Sequence, residues 1–240
     1  MRERPACDCF TRPNGQWQEH WLHTEPQDTT CDAWKRLLDL IERAADGGWE
    51  ELEPAGEVGR DQWWQISTLP PSIAKLKAVK KLNLYGSSLV RIPPEIGEMA
   101  SLEIFEPYTS YRLHWFPYEI TRCTRLKSSC VSTRALYGNH KFRPPFPRLP
   151  QGLEISPGRC SVCNGRFPTP TSSQVWISAW VGTDVLPLLV HACCEQCIAG
   201  LPKSPEGYFE GPHRGGLQLE QPPADKMRAL SARKMNPRGI

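Results

Sequence analysis

Two short segments carry residues that bind metal ions, at spacings that suit one ion. Residues 160–167 read CSVCNGRF and residues 193–201 read CCEQCIAGL. Two residues between Cys160 and Cys163 let both sulfurs converge on one ion, while backbone N–H groups of the turn stabilise the thiolates. Gly165 is the residue expected to permit that turn. In the second segment Cys197 can pair with Cys194, at i, i+3 of a helix, or with Cys193, at i, i+4. Both spacings share a helix face, so spacing leaves the choice open. Four thiolates fill a tetrahedral site and leave no position for water, so one structural Zn2+ is the expected cofactor. A catalytic zinc keeps an open position and usually has His or carboxylate ligands. Neither HExxH nor an HxE…PCxxC pattern is present, and no catalytic residue is assigned.

Other groups carry weaker signals. The pair Cys7-x-Cys9 could join Cys31 as thiolate ligands, with His20 and His23 between them. No fourth ligand is evident from the sequence, and free thiols are the default reading. The stretch EGYFEGPHRGG at 206–216 contains His213, Arg214 and a glycine pair, and could hold an anion on backbone N–H groups. It lacks GK[ST], so a loop packed on the metal-binding region is the expectation. No GxSxG elbow is present, and Ser87-Ser88 and Ser128-Ser129 have no evident His/Asp arrangement.

The elements that must position the thiols can be read outward from them. QVWISAWV at 174–181 alternates, with Val175, Ile177, Ala179 and Val181 on one face. Gly182-Thr183-Asp184 makes a turn and LPLLVHA at 186–192 returns. Near the start, Trp34, Leu37, Leu38 and Ile41 repeat at helical spacing. Thr29, Thr30 or Asp32 offers a cap, and Gly47-Gly48 makes the stop. A second short helix is expected near Asp61, with Trp63, Trp64 and Ile66 as contacts. Between these parts lies a self-match at a period of 23: Leu69 with Ile92, Pro70-Pro71 with Pro93-Pro94, Ile73 with Ile96, Leu76 with Met99, Val79 with Leu102, Leu82 with Phe105. A third copy follows one residue later: Phe116-Pro117, Ile120, Cys123, Leu126. Six matched positions predict one short strand per copy, near 81–84 in the clearest, with apolar residues turned to a shared core. Pro107 is expected within the second strand, where it removes a ladder donor.

The segment LPPSIAKLKAVKKLNLYGSSLVRIPPEIG resembles leucine-rich-repeat proteins of the bacterial and plant intracellular types, over roughly residues 66–140. Ser87 stands where that family has Asn, and the third copy is degenerate at Ser129, Val131 and Arg134. The resemblance implies a short solenoid with an interaction surface on its strand face, and it carries over no activity to this chain. Knuckle, hairpin and cysteine-opened helix come in treble-clef order. The run His191–Cys197 resembles FCS-type (TRASH-like) zinc fingers. That implies ligands at Cys193 and Cys197, with Cys194 where the family has Ser.

The fold class expected is therefore α/β (α+β). Its parts would be an irregular or poorly ordered lead-in (1–28), a helical cap (29–66), the repeats with a proline-rich strap at 137–150 (67–150), a zinc-binding domain (151–220) and a tail that is helical or disordered from Met227 (221–240). At 240 residues, 39% hydrophobic and 23% charged, the chain has the balance of a soluble protein. No apolar run is long enough to cross a membrane. The start, MRERPACDCF, lacks the apolar core of a secretory signal, so a cytoplasmic location is expected and metal is preferred to disulfides for the ten cysteines. Residues 19–61 hold twelve acids and four bases, and residues 74–148 hold thirteen bases and five acids. These segments are expected to neutralise one another in part. The function expected is non-catalytic binding of a protein partner, through Asn83, Tyr85, Arg91, Tyr111 and Arg112. Two alternatives are a nucleic-acid-binding protein using the basic stretch and zinc finger, and a zinc- or His213-dependent hydrolase.

Overall fold

The 23-residue period reappears as a strand register. A computed structural model describes residues 7–23, 25–149, 158–167 and 173–224. In it, β2 (Lys81–Asn83) and β3 (Ile104–Glu106) pair in parallel, with Leu82 opposite Phe105. Strand β5 (Ser128–Ser129) continues the ladder one residue out of period, with Ser129 opposite Phe105. Each strand follows a one-turn 3-10 helix: Pro71–Lys75, Pro94–Glu98 and Tyr118–Arg122. Two of these open on proline, whose fixed φ suits a first helical position and whose missing N–H costs nothing there. The matched residues Leu69, Ile73, Leu76, Val79 and Leu82, and their counterparts Ile92, Ile96, Met99, Leu102 and Phe105, are all buried in one cluster. Strand β3 ends at Glu106, so Pro107 lies just past it and not inside it. The fold is mixed α/β.

Where the repeat resemblance expects Asn, serines hold the turns. The Ser87 and Ser110 hydroxyls lie 2.7 Å apart, and Ser110 Oγ accepts the Ser87 N–H and reaches the Leu84 carbonyl. Ser132 Oγ accepts the Thr109 N–H in the next unit. All three serines are buried.

The helical segment before the repeats supplies an edge strand as well as a lid. Helix α1 (Asp32–Asp46) buries Ala33, Trp34, Leu37, Leu40, Ile41 and Ala44. Leu38 is only partly buried against the same core. The helix is capped at Cys31 with no side-chain bond, so the expected Thr or Asp cap is not used. Strand β1 (Glu51–Leu52), unforeseen from the sequence, pairs with β2 and completes the order β1-β2-β3-β5. Helices α2 (Pro54–Val58) and α3 (Arg60–Trp63) follow, with Trp63 buried.

The other end of this sheet is covered by a hairpin. Strands β6 (Ser173–Val181) and β7 (Asp184–Ala192) pair along their whole length around Gly182-Thr183. Asp184 is therefore the first residue of the return strand, not part of the turn. Strand β7 also pairs with β4 (Phe116–Pro117), which belongs to the third copy. One hairpin face, Val175, Ile177, Ala179 and Val181 with Leu186, Leu188 and Val190, joins the same buried cluster as α1 and the repeats. The opposite face puts Trp176 and Leu189 against Trp115, Tyr137, Phe146 and Leu149, and the Trp176 indole donates to the Pro147 carbonyl at 2.9 Å. The proline-rich strap is thus packed on the hairpin. The described parts of 29–66, 67–149 and 158–224 share two adjoining cores.

The N-terminal lead-in is irregular but held. Gln27 Oε1 accepts the Ser67 N–H at 2.7 Å, Arg91 donates to the Glu25 carbonyl, and Phe10 and Leu22 pack on the Tyr137 cluster. The charge asymmetry has an internal use. Glu19, Glu25, Glu42 and Glu50 pair with Arg148, Arg112, Lys75 and Lys80. No helix among the described residues is long and apolar enough to cross a membrane. The tail expected from Met227 lies outside the described residues.

Two substitutions probe this arrangement. Gly182 has φ +59, and a Cβ there would lie 2.8 Å from the Ser129 N. Gly182→Ala should lower unfolding free energy by about 1–3 kcal/mol, whereas Gly56→Ala, with open space around it, should be neutral or stabilising. Ser110→Ala strips the buried Ser87 N–H and Leu84 carbonyl of a partner and should cost about 1–3 kcal/mol. Denaturant unfolding monitored by circular dichroism reads both effects.

Candidate metal centre

The C-terminal thiols are delivered by two elements that close on each other. After Cys160 the chain turns back on itself. The Cys160 N–H donates to the Gly165 carbonyl and the Asn164 N–H to the Cys160 carbonyl. The left-handed residue of this turn is Asn164, with φ 60, not Gly165 as the sequence suggested. Gly165 serves a different need: a Cβ there would sit 3.3 Å from the Cys163 sulfur. The knuckle is tied to the hairpin by Ser161 N–H to the His191 carbonyl and by His191 N–H to Ser161 Oγ. Arg122, from the third 3-10 turn, donates to the Cys160 and Ser161 carbonyls at 3.2 and 2.9 Å. Helix α4 (Glu195–Ala199) begins directly after β7 and carries Cys197.

The sulfurs of Cys160, Cys163, Cys193 and Cys197 all lie within 4.8 Å of one another, a group that could hold a metal ion. Cys163 and Cys193 are 3.7 Å apart, and Cys193 and Cys197 are 3.6 Å apart. A tetrahedral ion with bonds of 2.3 Å to sulfur requires S···S separations of about 3.8 Å, so the group fits such an ion closely. A disulfide would require a far shorter separation, and all ten cysteines are free. Cys194 caps α4 in an extended conformation. Its sulfur is 3.7 Å from that of Cys193, but it falls outside the group of four. Burial pushes the Cys160 thiol up, but N–H groups of Cys163, Cys193 and Val162 outweigh this and bring it down to about 7.

The other residues singled out from the sequence sit elsewhere. Cys31 Sγ faces the Asp28 carbonyl at 3.2 Å and so does not join Cys7 and Cys9. Tyr85 and Tyr111 are exposed, at 57% and 58%. Asn83 Oδ1 accepts the Tyr85 N–H. Arg91 and Arg112 both turn to Glu25 of the chain's own N-terminal segment. Tyr108, 47% exposed with its ring 6.3 Å from that of Tyr85, was not singled out, although it stands 23 positions after Tyr85 and the repeat period could have found it.

His213 is buried between Phe146 and Phe209. Its backbone pairs with that of Trp176, and its Nδ1 accepts the Gly215 N–H. This placement is that of a packed ring. Comparison of the chain with protein-family models gives no match, and neither does comparison with curated proteins.

Two expectations follow from this centre. Cys193→Ser should lose the ion of this site, one metal ion per chain fewer than wild type, while Cys194→Ser should keep the wild-type content; elemental analysis after gel filtration reads the difference, and equal retention by the two variants contradicts the ligand set. Burial holds the His213 ring down from 6.5 to about 4, so the fold prefers it neutral. Its contribution is full above about pH 6.5 and is lost as pH falls towards 4, up to roughly 3 kcal/mol. The stability difference between wild type and His213→Phe should shift by that amount between pH 7 and 4, a comparison in which acid loss of metal is common to both proteins.

Proposed function

We propose that the chain is a non-catalytic protein-interaction protein. In this reading a short leucine-rich-repeat solenoid presents the binding surface. One structural Zn2+ at Cys160, Cys163, Cys193 and Cys197 holds the C-terminal cap. The parallel register at 23 and 24 residues, with a 3-10 turn before each strand, supports the repeat. An all-sulfur ligand set at tetrahedral spacing supports zinc in a closed, structural role.

The observation that carries the binding reading is the set of exposed tyrosines: Tyr85 and Tyr108 two residues past β2 and β3, and Tyr111 in the loop that follows β3. Large aromatic rings left in solvent at neighbouring positions supply contact area at low conformational cost, and such residues dominate interface energetics. Asn83 lies beside them. Arg91 and Arg112 are taken up by Glu25 of the N-terminal segment. The basic stretch favours a nucleic-acid partner less, because Lys75, Lys80 and Arg112 are neutralised by acids of the same chain.

The test compares wild type with a Tyr85→Ala/Tyr108→Ala/Tyr111→Ala variant as baits in extract of the native host, with quantitative mass spectrometry. A partner enriched by wild type should drop at least tenfold with the variant, while melting temperature and metal content stay unchanged. An identical captured set with both baits would remove the tyrosine face as the binding surface.

A further inference from the structure

A second group of metal-ligating side chains lies at the opposite terminus. Cys7 Sγ is 3.1 Å from His23 Nε2 and 3.2 Å from His114 Nε2, and Cys9 Sγ is 3.1 Å from His23 Nε2. All four ligand atoms lie within 4.8 Å of one another. Cys9 and His114 are buried, and Cys7 and His23 are partly so. His20 and Cys31 are not in the group.

Proton counting separates an ion site from a hydrogen-bonded cluster. His114 Nδ1 is 2.6 Å from the Ala135 carbonyl. A carbonyl only accepts, so Nδ1 carries the proton and Nε2 presents a lone pair. His23 Nδ1 is 2.9 Å from the Glu25 carboxylate, which Arg112 also binds, so Nδ1 carries a proton, and in the neutral ring Nε2 presents a lone pair too. The Cys7 sulfur faces both lone pairs with one proton to share. The His23 lone pair faces two sulfurs and can accept one bond. With both rings neutral, hydrogen bonds therefore leave contacts unsatisfied, whereas a divalent cation satisfies all four atoms once both thiol protons leave to solvent. The outer partners are those metal-bound histidines use: a carboxylate on one ring and a backbone carbonyl on the other. Two sulfurs and two imidazole nitrogens in a compact group suit tetrahedral Zn2+. For that ion the S···N separation is about 3.5 Å, which a slight opening of the group provides.

We propose that Cys7, Cys9, His23 and His114 bind a second structural zinc ion, which staples the N-terminal segment across the repeat units. His114 lies 107 positions from Cys7, so the ion closes a loop that no local interaction spans. From it the segment runs back over the units, with Glu25 on Arg91 and Arg112 and Gln27 on Ser67. The site shares no residue with the C-terminal thiols, so either can fail without the other.

The test uses the full chain, purified with zinc present and freed of loose metal. Wild type should hold two zinc ions per chain, with an X-ray absorption average of three sulfurs and one nitrogen per ion. Cys9→Ser and His23→Asn should each hold one, with an all-sulfur spectrum. Cys160→Ser should hold one with an S2N2 spectrum, and cobalt(II) replacement should give different visible bands for the two single-site proteins. Because His23 is at the surface of the group, His23→Asn should keep the fold if Cys9→Ser does not. One all-sulfur ion in wild type, or two ions retained in both Cys9→Ser and His23→Asn, would overturn the proposal.

Discussion

Strands of two or three residues cannot hold a sheet together by their ladder, and that constraint governs this fold. The sheet β1-β2-β3-β5 offers only a few hydrogen bonds per pair. Its cohesion must come from apolar burial behind the strands, and a stack of three copies exposes much of that surface at its ends. Three elements outside the repeated segment answer this need. Helix α1 covers one end, and β1 extends the sheet on that side. The β6–β7 hairpin covers the other, and the bonds between Ser129 and Val181 and Thr183 join it to the last strand.

The third copy, degenerate in sequence, is where the attachments meet. Just before it His114 reaches the N-terminal cysteine group, and within it Phe116 pairs with the edge of β7 and Arg122 donates to the knuckle carbonyls. Of its departures from the repeat pattern, Ser129 bonds to Val181 and Thr183 of the hairpin. The extra residue that shifts Ser129 out of period lies between Phe105 and Phe116, ahead of β4. A unit that bonds to other elements on several sides cannot also keep the side chains of a free-standing repeat.

The two cysteine groups stand in a similar relation to the core. Each lies beside a stretch too short or too irregular to fold alone: the 160–167 knuckle with the five-residue α4, and the lead-in, whose described residues hold no regular element beyond one 3-10 turn. A metal ion is an efficient means of fixing such pieces, since it supplies several directional bonds at one point.

Much of this was legible from residue order because it rests on period. The matched positions Leu69 to Phe105 predicted both strands and the core, the alternation 175–181 predicted the hairpin and its buried face, and CxxC with CCxxC predicted the four thiols. These patterns are local, and one face of a strand or helix is set by spacing alone. What spacing could not decide was decided by contacts far apart in sequence. Cys193 rather than Cys194 joins the thiol group because the end of β7 aims it there. Glu51–Leu52 becomes a strand only because β2 lies beside it. Arg91 and Arg112 face inward because Glu25 crosses above them. Cys7 and Cys9 lacked a fourth ligand in the sequence because His114 reaches them only once the repeats are stacked. A residue's type and spacing determine what chemistry it can offer, and the folded chain determines which distant residue stands within reach of it.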